Sequence, residues 1–276
     1  MVNAVILGCG YVGKAVARHW QSDGLTVTAT TTSPGRLAEL EAIAHQAMIL
    51  RGDDAETLRN VLADADVVLV SVGAPSADAY EATYLDTAKT LVDVLPNTTV
   101  RQVIYTGSYA VYGDQGGAWV NEETAIAPSN HNGEILAETE QILLKAATDQ
   151  RAVCVFRLGG IYGPGRELMR IFRRAAGSTR PGDGSDASNW IHLDDIVGAI
   201  AFAEQHRLSG LYNLVQTEPT TTGELTNRVL QAQQLPPVTW DASQPSQRPY
   251  NARVSNQKLR DAGYEFVHPT IEIEAE

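Results

Sequence analysis

The sequence predicts an α/β fold in which a doubly wound, mainly parallel sheet is followed by a smaller C-terminal α/β lobe. Two observations predict this fold: short apolar runs alternate with longer helical patterns over residues 4–158, and a glycine-rich turn follows the first run. Runs that are apolar on both faces are typical of parallel strands with helices packed on each side. The alternation therefore indicates βαβ units rather than a sandwich or a helical bundle.

The elements of the first part follow this apolar pattern. The runs rich in valine and isoleucine predict strands at Ala4–Leu7, Leu25–Thr30, Ala47–Leu50, Val67–Val72, Val103–Thr106 and Ala152–Leu158. The segments between them predict helices at Val12–Ser22, Arg36–His45, Ala55–Leu62, Ala79–Leu95 and Gly133–Thr148. The Asp23-Gly24 turn ends the first helix.

After Leu158 the pattern becomes less regular, and a glycine-rich loop covers Gly159–Gly165. Helices are predicted at Arg166–Ala176, Asp194–His206, Thr222–Gln234 and Ser255–Ala262, with short strands at Trp190–Leu193 and Leu211–Val215. A mobile loop is predicted for Gly177–Asn189 and an irregular connection for Leu235–Tyr250. We expect a first domain of residues 1–157, to which residues 191–215 return, and a smaller, interleaved lobe of residues 158–276.

The composition is that of an acidic globular protein. The chain has 276 residues, 43% of them hydrophobic, and a net charge of −12. An acidic chain gains no counterion-release affinity for nucleic acid or an anionic membrane, so neither is expected as a partner. Two cysteines without a Cys/His cluster predict no disulfide framework and no metal site. No run is long enough to span a membrane and the start lacks a signal-peptide pattern, so we expect a cytoplasmic protein.

A dinucleotide-binding loop is predicted between the first strand and the first helix. It reads G-C-G-Y-V-G, which is the G-x-G-x-x-G pattern of a Rossmann sheet. Gly8 permits a tight turn, Gly10 lets the backbone approach a pyrophosphate, and Gly13 lets the helix pack close to the strand. Tyr11 and Val12 open the helix, whose free N–H groups and dipole favour phosphate groups.

The residues after the second strand favour NADP(H), although NAD(H) stays open. NAD sites usually carry an acid about 20 residues after the loop, at the end of the second strand. Here the segment Thr30–Arg36 contains no acid, and the first one is Glu39. Thr31, Ser33 and Arg36 offer hydroxyls and a guanidinium to a 2′-phosphate. The alternative is that Arg36 is a solvated residue and that the two hydroxyls cap the next turn.

Two further turns are expected to meet the cofactor. Asp53 follows the third strand, where such folds often contact adenine, and it is equally well explained as the N-cap of the next helix. Val72, Gly73 and Ala74 follow the fourth strand as a glycine turn, which we expect to run beside the nicotinamide ribose.

Four further blocks follow in order along the chain. They are S-Y-A-V-Y-G at Ser108–Gly113, R-L-G-G-I-Y-G-P-G at Arg157–Gly165, W-I-H-L-D-D-I at Trp190–Ile196 and G-L-Y-N-L at Gly210–Leu214. Together with the glycine loop they resemble the extended short-chain dehydrogenase/reductases of the NAD-dependent epimerase/dehydratase group. The resemblance covers nearly the whole chain. It implies a Rossmann domain, a nicotinamide cofactor, a small-molecule substrate and a homodimer through the helices after the fourth and fifth strands.

One block of that family is missing. The family carries Y-x-x-x-K at the start of the next helix, where the tyrosine is the acid/base and the lysine lowers its pKa and holds the nicotinamide ribose. By block spacing, Asn132 takes the tyrosine position and Leu136 takes the lysine position, and neither side chain can do this chemistry. The segment N-G-E-I-L-A-E resembles that of an atypical subgroup without Y-x-x-x-K.

Three residues are candidates for the missing acid/base. Ser108 lies where the family carries its catalytic hydroxyl. Tyr112 follows four residues later, and the alternative is that it is a packing residue. His131 directly precedes the vacant position and titrates near neutrality, and the alternative is an exposed loop histidine.

Candidate anion-binding residues follow the second glycine-rich loop. Arg166, Arg170 and Arg173 lie at helical spacing, which predicts one basic helix face in an acidic chain. Arginine forks suit phosphate and carboxylate groups. The resemblance implies that this region and Tyr162 of the Y-G-P-G block contact the substrate. The alternative is a solvated basic face.

Two functions therefore stay open. The first is an NAD(P)(H)-dependent epimerase/dehydratase-like or reductase-like enzyme with a non-standard acid/base, acting on a small or nucleotide-sugar-like anionic substrate. The second is a catalytically inactive dinucleotide-binding protein that senses redox state or binds a partner. The cofactor loop favours the first function, and the missing tyrosine and lysine favour the second.

Overall fold

The computed structural model describes residues 2–273 and forms two compact units. The first unit consists of the chain up to Ser108 together with His131–Arg157 and Ile196–Tyr212. The second unit consists of Tyr109–Asn130, Leu158–Asp195 and the chain from Asn213 onward.

The described residues contain fifteen strands and nine α-helices. The strands are β1 (Asn3–Leu7), β2 (Thr26–Thr31), β3 (Gln46–Ile49), β4 (Val67–Val70), β5 (Gln102–Ser108), β6 (Asp114–Val120), β7 (Ala152–Leu158), β8 (Gly160–Tyr162), β9 (Thr179–Pro181), β10 (Ala187–Ser188), β11 (Trp190–His192), β12 (Gly210–Leu214), β13 (Thr220–Thr221), β14 (Thr239–Asp241) and β15 (Asn251–Val254). The α-helices are α1 (Tyr11–Ser22), α2 (Leu37–Glu41), α3 (Ala55–Leu62), α4 (Asp86–Val94), α5 (His131–Leu144), α6 (Leu168–Phe172), α7 (Leu193–His206), α8 (Thr222–Ala232) and α9 (Gln257–Asp261).

The largest sheet confirms the predicted doubly wound α/β fold. Its seven strands lie in the order β12-β7-β5-β4-β1-β2-β3, and β1 pairs in parallel with both β2 and β4. The pairs β2–β3 and β4–β5 are also parallel. Because the chain leaves β1 towards one side and later crosses to the other, the carboxyl ends of β1 and β4 lie side by side. Ligands of such sheets bind at this point.

The helices of the first unit lie where they were predicted, and α3 has its predicted ends, whereas α5 begins two residues earlier and ends four residues earlier than predicted. Two other helices differ more. The predicted helix Arg36–His45 is reduced to α2, which begins one residue later, after a 3-10 turn at Pro34–Arg36, and ends four residues earlier, at Glu41. The predicted helix Ala79–Leu95 contains a π-helical turn at Glu81–Leu85 before α4 begins. Such π turns interrupt the regular hydrogen-bond ladder and occur frequently at functional sites.

The interior of the first unit is built from the sheet and the apolar faces of α3, α4 and α5. Leu85, Ala88 and Ile135 are buried within the single chain. The resemblance assigns the helices that carry them to a dimer interface. These three side chains belong to the core instead, while the homodimer itself stays a prediction.

The second unit contains short two-stranded pairings that the sequence did not reveal. The pairs β6–β15, β8–β11 and β9–β14 are parallel, and β10–β13 is antiparallel. The prediction of a mobile loop at Gly177–Asn189 is wrong in part, because that segment contains β9 and β10. The predicted connection Leu235–Tyr250 likewise contains β14. Strands of two or three residues are too short to show an apolar alternation.

Helix α6 begins later than predicted, at Leu168. The preceding Gly165 has a φ of +81°, a left-handed conformation that breaks a helical path. Arg166 therefore lies before the helix, and Arg173 lies in a 3-10 turn after it. The predicted shared helix face of Arg166, Arg170 and Arg173 is wrong for this reason.

Candidate functional site

The glycine loop joins β1 to α1 and is shaped by the ends of β2 and β4. Gly8 has a φ of +79°, and a Cβ at this position would lie 2.7 Å from Cα of Val72. On the other side, Thr30 Oγ1 accepts a hydrogen bond from the Gly8 N–H over 3.2 Å. The Thr30 carbonyl accepts one from the Cys9 N–H over 2.8 Å. Gly8 is therefore required by the packing of the protein itself.

The second and third glycines of the loop have different surroundings. A Cβ on Gly13 would lie 3.1 Å from Cγ2 of Ile6, so this glycine lets α1 pack onto β1. A Cβ on Gly10 would meet only one backbone oxygen, 4.0 Å away, so the absence of a side chain leaves room outside the loop. Helix α1 begins at Tyr11 without a side-chain cap and without an acid in its first turn. Its N–H groups and dipole favour an anion, and the loop fits a pyrophosphate.

Two cations and one acid lie beside the glycine loop, near the end of β2. Arg36 donates from Nη2 to the Cys9 carbonyl over 2.8 Å, and its Nε lies 3.4 Å from Glu39 Oε2. Lys14 of α1 lies 2.5 Å from the other oxygen of Glu39. The hydrogen bond from Lys14, with that from Arg36, holds the pKa of the Glu39 carboxyl below its usual range. The three charges sum to a positive one where such sheets meet the adenosine ribose.

The hydroxyls predicted to accompany Arg36 shape the same turn. Thr31 is buried at the end of β2, and its Oγ1 accepts a hydrogen bond from the Ser33 N–H over 3.2 Å. Ser33 precedes the 3-10 turn and makes no side-chain capping bond. Cys9 is buried in the loop, and burial raises the pKa of its thiol to about 11, although Arg36 and Lys14 act against this shift. The thiol is therefore neutral at physiological pH.

Asp53 is exposed and forms an ion pair with Arg51 through two contacts of 3.1 Å. The hydrogen bond from Arg51 lowers the pKa of the Asp53 carboxyl. The alternative interpretation of Asp53 as a helix cap is wrong. Asp54 caps α3 instead, since its side chain accepts a hydrogen bond from the Thr57 N–H over 3.0 Å. The contact of Asp53 with adenine stays a prediction.

The turn after β4 consists of Val72, Gly73 and Ala74. A Cβ on Gly73 would meet no atom of the described residues within 4 Å, so this side of the turn is open. Tyr84, on the π-helical turn, is hydrogen-bonded to the backbone of Ala74. Burial raises the pKa of Tyr84, and the bond to Ala74 acts in the opposite direction. The π-helical turn thus supports the loop that is predicted to run beside the nicotinamide ribose.

Two acid/base candidates belong to the first unit. Ser108 is half-buried at the carboxyl end of β5. His131 is the first residue of α5, is well exposed, and has its Nδ1 3.3 Å from Glu134 Oε2. One turn further on, Leu136 is only 8% exposed. The position that carries a lysine in the family pattern is therefore a buried apolar site in this chain.

Tyr112 belongs to the second unit and is fully buried. Its hydroxyl lies 2.9 Å from both the Asn121 carbonyl and Asn213 Oδ1. A phenol has one hydrogen to donate, and two acceptors already compete for it. These contacts favour the packing role that the sequence left open beside an acid/base role.

The predicted substrate residues of the second unit differ in exposure. Tyr162 is buried, with its ring edge-on to His192 at a centroid distance of 5.0 Å. Arg166 and Arg170 are exposed, and Arg170 Nη1 lies 3.6 Å from Glu167 Oε2. The structure places the two arginines on the loop before α6 and on α6 itself.

Arg248 is a candidate anion ligand that sequence reasoning missed. It is half-buried, donates from Nη1 to Thr222 Oγ1 over 2.8 Å, and lies 5.5 Å from the centre of the Tyr250 ring. Its Nε has no hydrogen-bond partner within residues 2–273. Burial raises the pKa of the nearby Tyr109 to about 12, and hydrogen bonds from Asn189 and Arg248 lower it in part. A proline-rich connection gave no pattern by which Arg248 stood out.

The sequence of this chain matches a family profile over most of its length. The profile of the NAD dependent epimerase/dehydratase family matches residues 4–214, which include the glycine loop and all but the last elements described above. This chain belongs to that family. The resemblance stated from its sequence blocks is confirmed, whereas membership of a subgroup without Y-x-x-x-K stays a prediction.

One sequence relative and two solved structures are similar to this chain over most of its length. The chain is 30% identical to Protein YeeZ of Escherichia coli (strain K12) over 223 residues, which cover 78% of this chain and 77% of that protein. A conserved protein of unknown function from Silicibacter pomeroyi DSS has a similar structure, with a TM-score of 0.78, 24% identity, and coverage of 98% and 95%. A UDP-glucuronic acid 4-epimerase variant from Bacillus cereus, solved with UDP-4-deoxy-4-fluoro-glucuronic acid and NAD, has a TM-score of 0.78, 16% identity, and coverage of 99% and 95%.

The sheet and the helices bear on the expected fold and on the expected lack of a membrane span. The fold of this chain, with its seven-stranded Rossmann sheet, is shared with the two solved structures above. Among the helices of the described residues, none is both long enough and apolar enough to cross a membrane.

Proposed function

We propose that this chain binds NADP(H) and acts on a small anionic substrate of the nucleotide-sugar kind, as an epimerase/dehydratase-like or reductase-like enzyme. One observation carries the cofactor assignment. The outer side of the glycine loop is open at Gly10, and the adjacent end of β2 carries Arg36 and Lys14 against a single acid. The UDP-sugar and NAD bound by the Bacillus cereus epimerase support the substrate class and the type of cofactor.

The cofactor contacts follow from the geometry of the loop. Gly10 and the N–H groups of Tyr11 and Val12 receive the pyrophosphate, and Arg36 with Lys14 receives the 2′-phosphate. The nicotinamide ring supplies a hydride acceptor or donor when it is bound. The remaining residues proposed to line the cofactor are Gly8, Gly13, Thr31, Ser33, Asp53, Val72, Gly73 and Ala74.

The charges beside β2 favour NADP(H) over NAD(H). An NAD site needs a carboxylate that accepts hydrogen bonds from the ribose hydroxyls. Glu39 is the first acid after β2, and both of its oxygens already face a cation. A 2′-phosphate brings negative charge to Arg36 and Lys14, which Glu39 neutralises only in part.

The first experiment is a fluorescence titration of the purified chain with NADPH and NADH. We expect NADPH to bind more tightly than NADH. The Arg36→Ala variant is expected to lose about tenfold or more in NADPH affinity, since a hydrogen bond to a charged group contributes about 1.5–3 kcal/mol. Its NADH affinity should stay nearly unchanged.

Arg59→Ala is the matched control, because Arg59 is an exposed arginine on α3. It should leave both affinities unchanged. Equal affinity for the two nucleotides in the unaltered chain would contradict the preference for NADP(H). Failure of both to bind at sub-millimolar concentration would remove the cofactor assignment altogether.

The acid/base role is assigned to Ser108 and His131. Ser108 offers a hydroxyl at the carboxyl end of β5, where the sheet presents its ligands. His131 is exposed, and imidazole is a common general acid or base in catalysis. Tyr112 is the third candidate from the sequence, and its shared hydroxyl makes it the least suited of the three.

Turnover of UDP-glucose or UDP-glucuronic acid with NADPH or NADP, followed by NMR of the sugar, tests this assignment. Removing a general acid or base typically costs about 10²–10⁴-fold in rate. We expect Ser108→Ala and His131→Gln each to lower the rate within this range. His131→Gln should also remove the pH dependence near neutrality, and an unchanged pH profile would exclude His131.

Substrate binding is assigned to Tyr162, Arg166, Arg170 and Arg248. Alanine at Arg170 or Arg248 should weaken UDP-sugar binding, measured by calorimetry, without changing NADPH affinity. Arg260→Ala on α9 is the control for a lost surface charge. Equal binding by all three variants would show that the anion lies elsewhere.

A second candidate function is favoured by Leu136. Its burial leaves no place for a cation beside a nicotinamide ribose at that position, and Asn132 cannot titrate near neutrality. A chain that binds NADPH tightly but turns over no sugar nucleotide or small carbonyl would be a non-catalytic dinucleotide-binding protein. Binding without turnover therefore separates the two functions.

A further inference from the structure

A group of polar side chains in the second unit lies where β11 ends and α7 begins. It consists of His192, Asp194 and His268, each of which offers one ligand atom, and these atoms all lie within 4.8 Å of one another. The first two residues are close in sequence, whereas His268 comes 74 residues after Asp194. The cluster therefore exists only in the folded chain, and the sequence analysis could not detect it.

The distances within this cluster match those between ligands of one metal ion. Asp194 Oδ2 lies 3.4 Å from His192 Nδ1 and 3.3 Å from His268 Nε2. Charge-assisted hydrogen bonds are shorter, about 2.7–2.9 Å. Two ligands of a tetrahedral zinc ion, each about 2.0–2.1 Å from the metal, are separated by roughly 3.3–3.4 Å. Both contacts therefore have the length of an edge of a zinc tetrahedron.

We propose that His192, Asp194 and His268 bind one divalent transition-metal ion, with Zn²⁺ as the best match. Two imidazoles and a carboxylate are ligands that suit Zn²⁺ and its neighbours in the first transition row, not Mg²⁺ or Ca²⁺. The Asp194 side chain is 60% exposed, so the cluster is open to solvent on the side of Asp194. An ion can enter from that side, and a water molecule can complete its coordination.

The imidazoles are already arranged for this role. The Asp194 N–H donates to His192 Nδ1 over 3.2 Å, so Nδ1 carries a lone pair and the proton is on the other nitrogen. A metal ion takes this lone pair in place of the long N–H contact. Glu272 Oε2 lies 3.4 Å from His268 Nδ1 without hydrogen-bond geometry, and its negative charge favours the proton on Nδ1, which leaves Nε2 as the ligand.

The buried carboxylate of Asp195 holds the backbone around His268 in place before any ion binds. Asp195 is fully buried, and its carboxylate accepts hydrogen bonds from the N–H groups of Val267 and His268 over 2.7 and 2.9 Å. Tyr264 donates to the same carboxylate over 3.1 Å. The side chains of His192 and His268 are only 10% and 16% exposed. An ion at this site would join the C-terminal segment to the start of α7.

The test uses the full chain without a histidine tag, treated with chelator and then titrated with ZnCl₂ in a calorimeter. We expect one Zn²⁺ per chain and a higher melting temperature with the ion present. Co²⁺ in place of Zn²⁺ should give the intense visible absorption of a four-coordinate site. His268→Gln and Asp194→Asn should each weaken binding at least tenfold and remove the thermal shift. Glu272→Gln should weaken binding by less than either ligand variant does, since Glu272 acts on His268 through its charge and not through a hydrogen bond.

His19→Gln is the matched control, because His19 lies 3.4 Å from Asp23 but belongs to no group of three candidate ligands within residues 2–273. It should bind Zn²⁺ as the unaltered chain does. Asp194 and Glu272 are exposed, so their variants keep the test decisive if His268→Gln does not fold. The proposal is overturned if no ion binds, if binding survives Asp194→Asn and Glu272→Gln unchanged, or if His19→Gln abolishes it. Zinc binding is independent of NADPH binding, so failure of one leaves the other standing.

Discussion

At the scale of single residues, the most consequential contact of the first unit is a buried ion pair. Arg157 and Glu140 are each 3% exposed, and the guanidinium meets the carboxylate through two contacts, one of 3.0 Å between Nε and Oε2. The pair joins β7 to α5, the helix that carries His131. Because neither charge reaches water, each depends on the other for its stabilisation.

Replacing Glu140 with Gln should lower the free energy of unfolding by about 3–5 kcal/mol, since it removes the carboxylate charge that faces the buried Arg157 guanidinium. Urea denaturation followed by circular dichroism measures this change. Glu138→Gln, at an exposed position on the same helix, should stay within about 0.5 kcal/mol of the unaltered chain. Similar values for the two variants would show that water reaches the Arg157 guanidinium.

A second prediction at this scale concerns the thiol in the glycine loop. Burial raises the pKa of Cys9 to about 11, and only the thiolate reacts with alkylating agents. Cys9 of the folded chain should therefore react much more slowly at pH 8 than Cys9 of the unfolded chain, and its rate should rise as the pH approaches 11. Peptide mass spectrometry after iodoacetamide treatment distinguishes Cys9 from Cys154. Rapid labelling of folded Cys9 at pH 7 would instead indicate a redox-sensitive thiol.

At the scale of elements, two glycines of the same loop should serve different properties, Gly8 the stability of the fold and Gly10 the binding of the cofactor. Gly8 adopts a left-handed φ, and a Cβ there would lie within 3 Å of backbone atoms of Ser71 and Val72, just after β4, whereas Gly10 faces open space among the described residues. Gly8→Ala should therefore lower the free energy of unfolding by at least about 1–3 kcal/mol. Gly10→Ala should change it by less than about 0.5 kcal/mol but weaken NADPH binding tenfold or more. Thermal denaturation and NADPH titration of both variants check this split, and equal loss of stability would contradict it.

The elements that the sequence predicts well are those that form one long apolar signal. The strand predicted at Ala152–Leu158 is β7 itself, and α3 also has its predicted ends, because buried parallel strands and amphipathic helices repeat a pattern over several residues. The strands β9, β10 and β14 have too few residues to do so. Their pairing partners lie far along the chain, and this information is absent from any local window.

The residues of the candidate site also fall into two groups: those that a local sequence pattern predicts and those that it cannot predict. The glycine loop was predictable because its three glycines are close together in the sequence. Lys14 was missed because its partner Glu39 lies 25 residues away, and Arg248 was missed because Thr222 lies 26 residues away. His268 reaches Asp194 over 74 residues. Residues whose role depends on a distant partner become visible only when the chain is folded.

At the scale of the whole molecule, cofactor binding and stability are linked by mass action. A ligand that binds only the folded state at 100 times its Kd raises the free energy of unfolding by about 2.7 kcal/mol. For a compact unit of roughly 150–250 residues, this stabilisation corresponds to an increase in Tm of roughly 5–10 °C. We expect NADPH to produce such an increase, and NADH at the same concentration to produce a smaller one, because it lacks the 2′-phosphate that we propose to contact Arg36 and Lys14.

Differential scanning fluorimetry with the two nucleotides at matched concentrations measures this difference. In Arg36→Ala the advantage of NADPH over NADH should shrink, because one of the two cations beside the ribose is gone, while the smaller shift due to the pyrophosphate remains. In Gly10→Ala the increases in Tm with NADPH and with NADH should fall together. The new side chain would occupy the open space outside the loop, where we propose that the pyrophosphate binds. A loss confined to NADPH in Gly10→Ala would mean that the pyrophosphate does not lie on this loop.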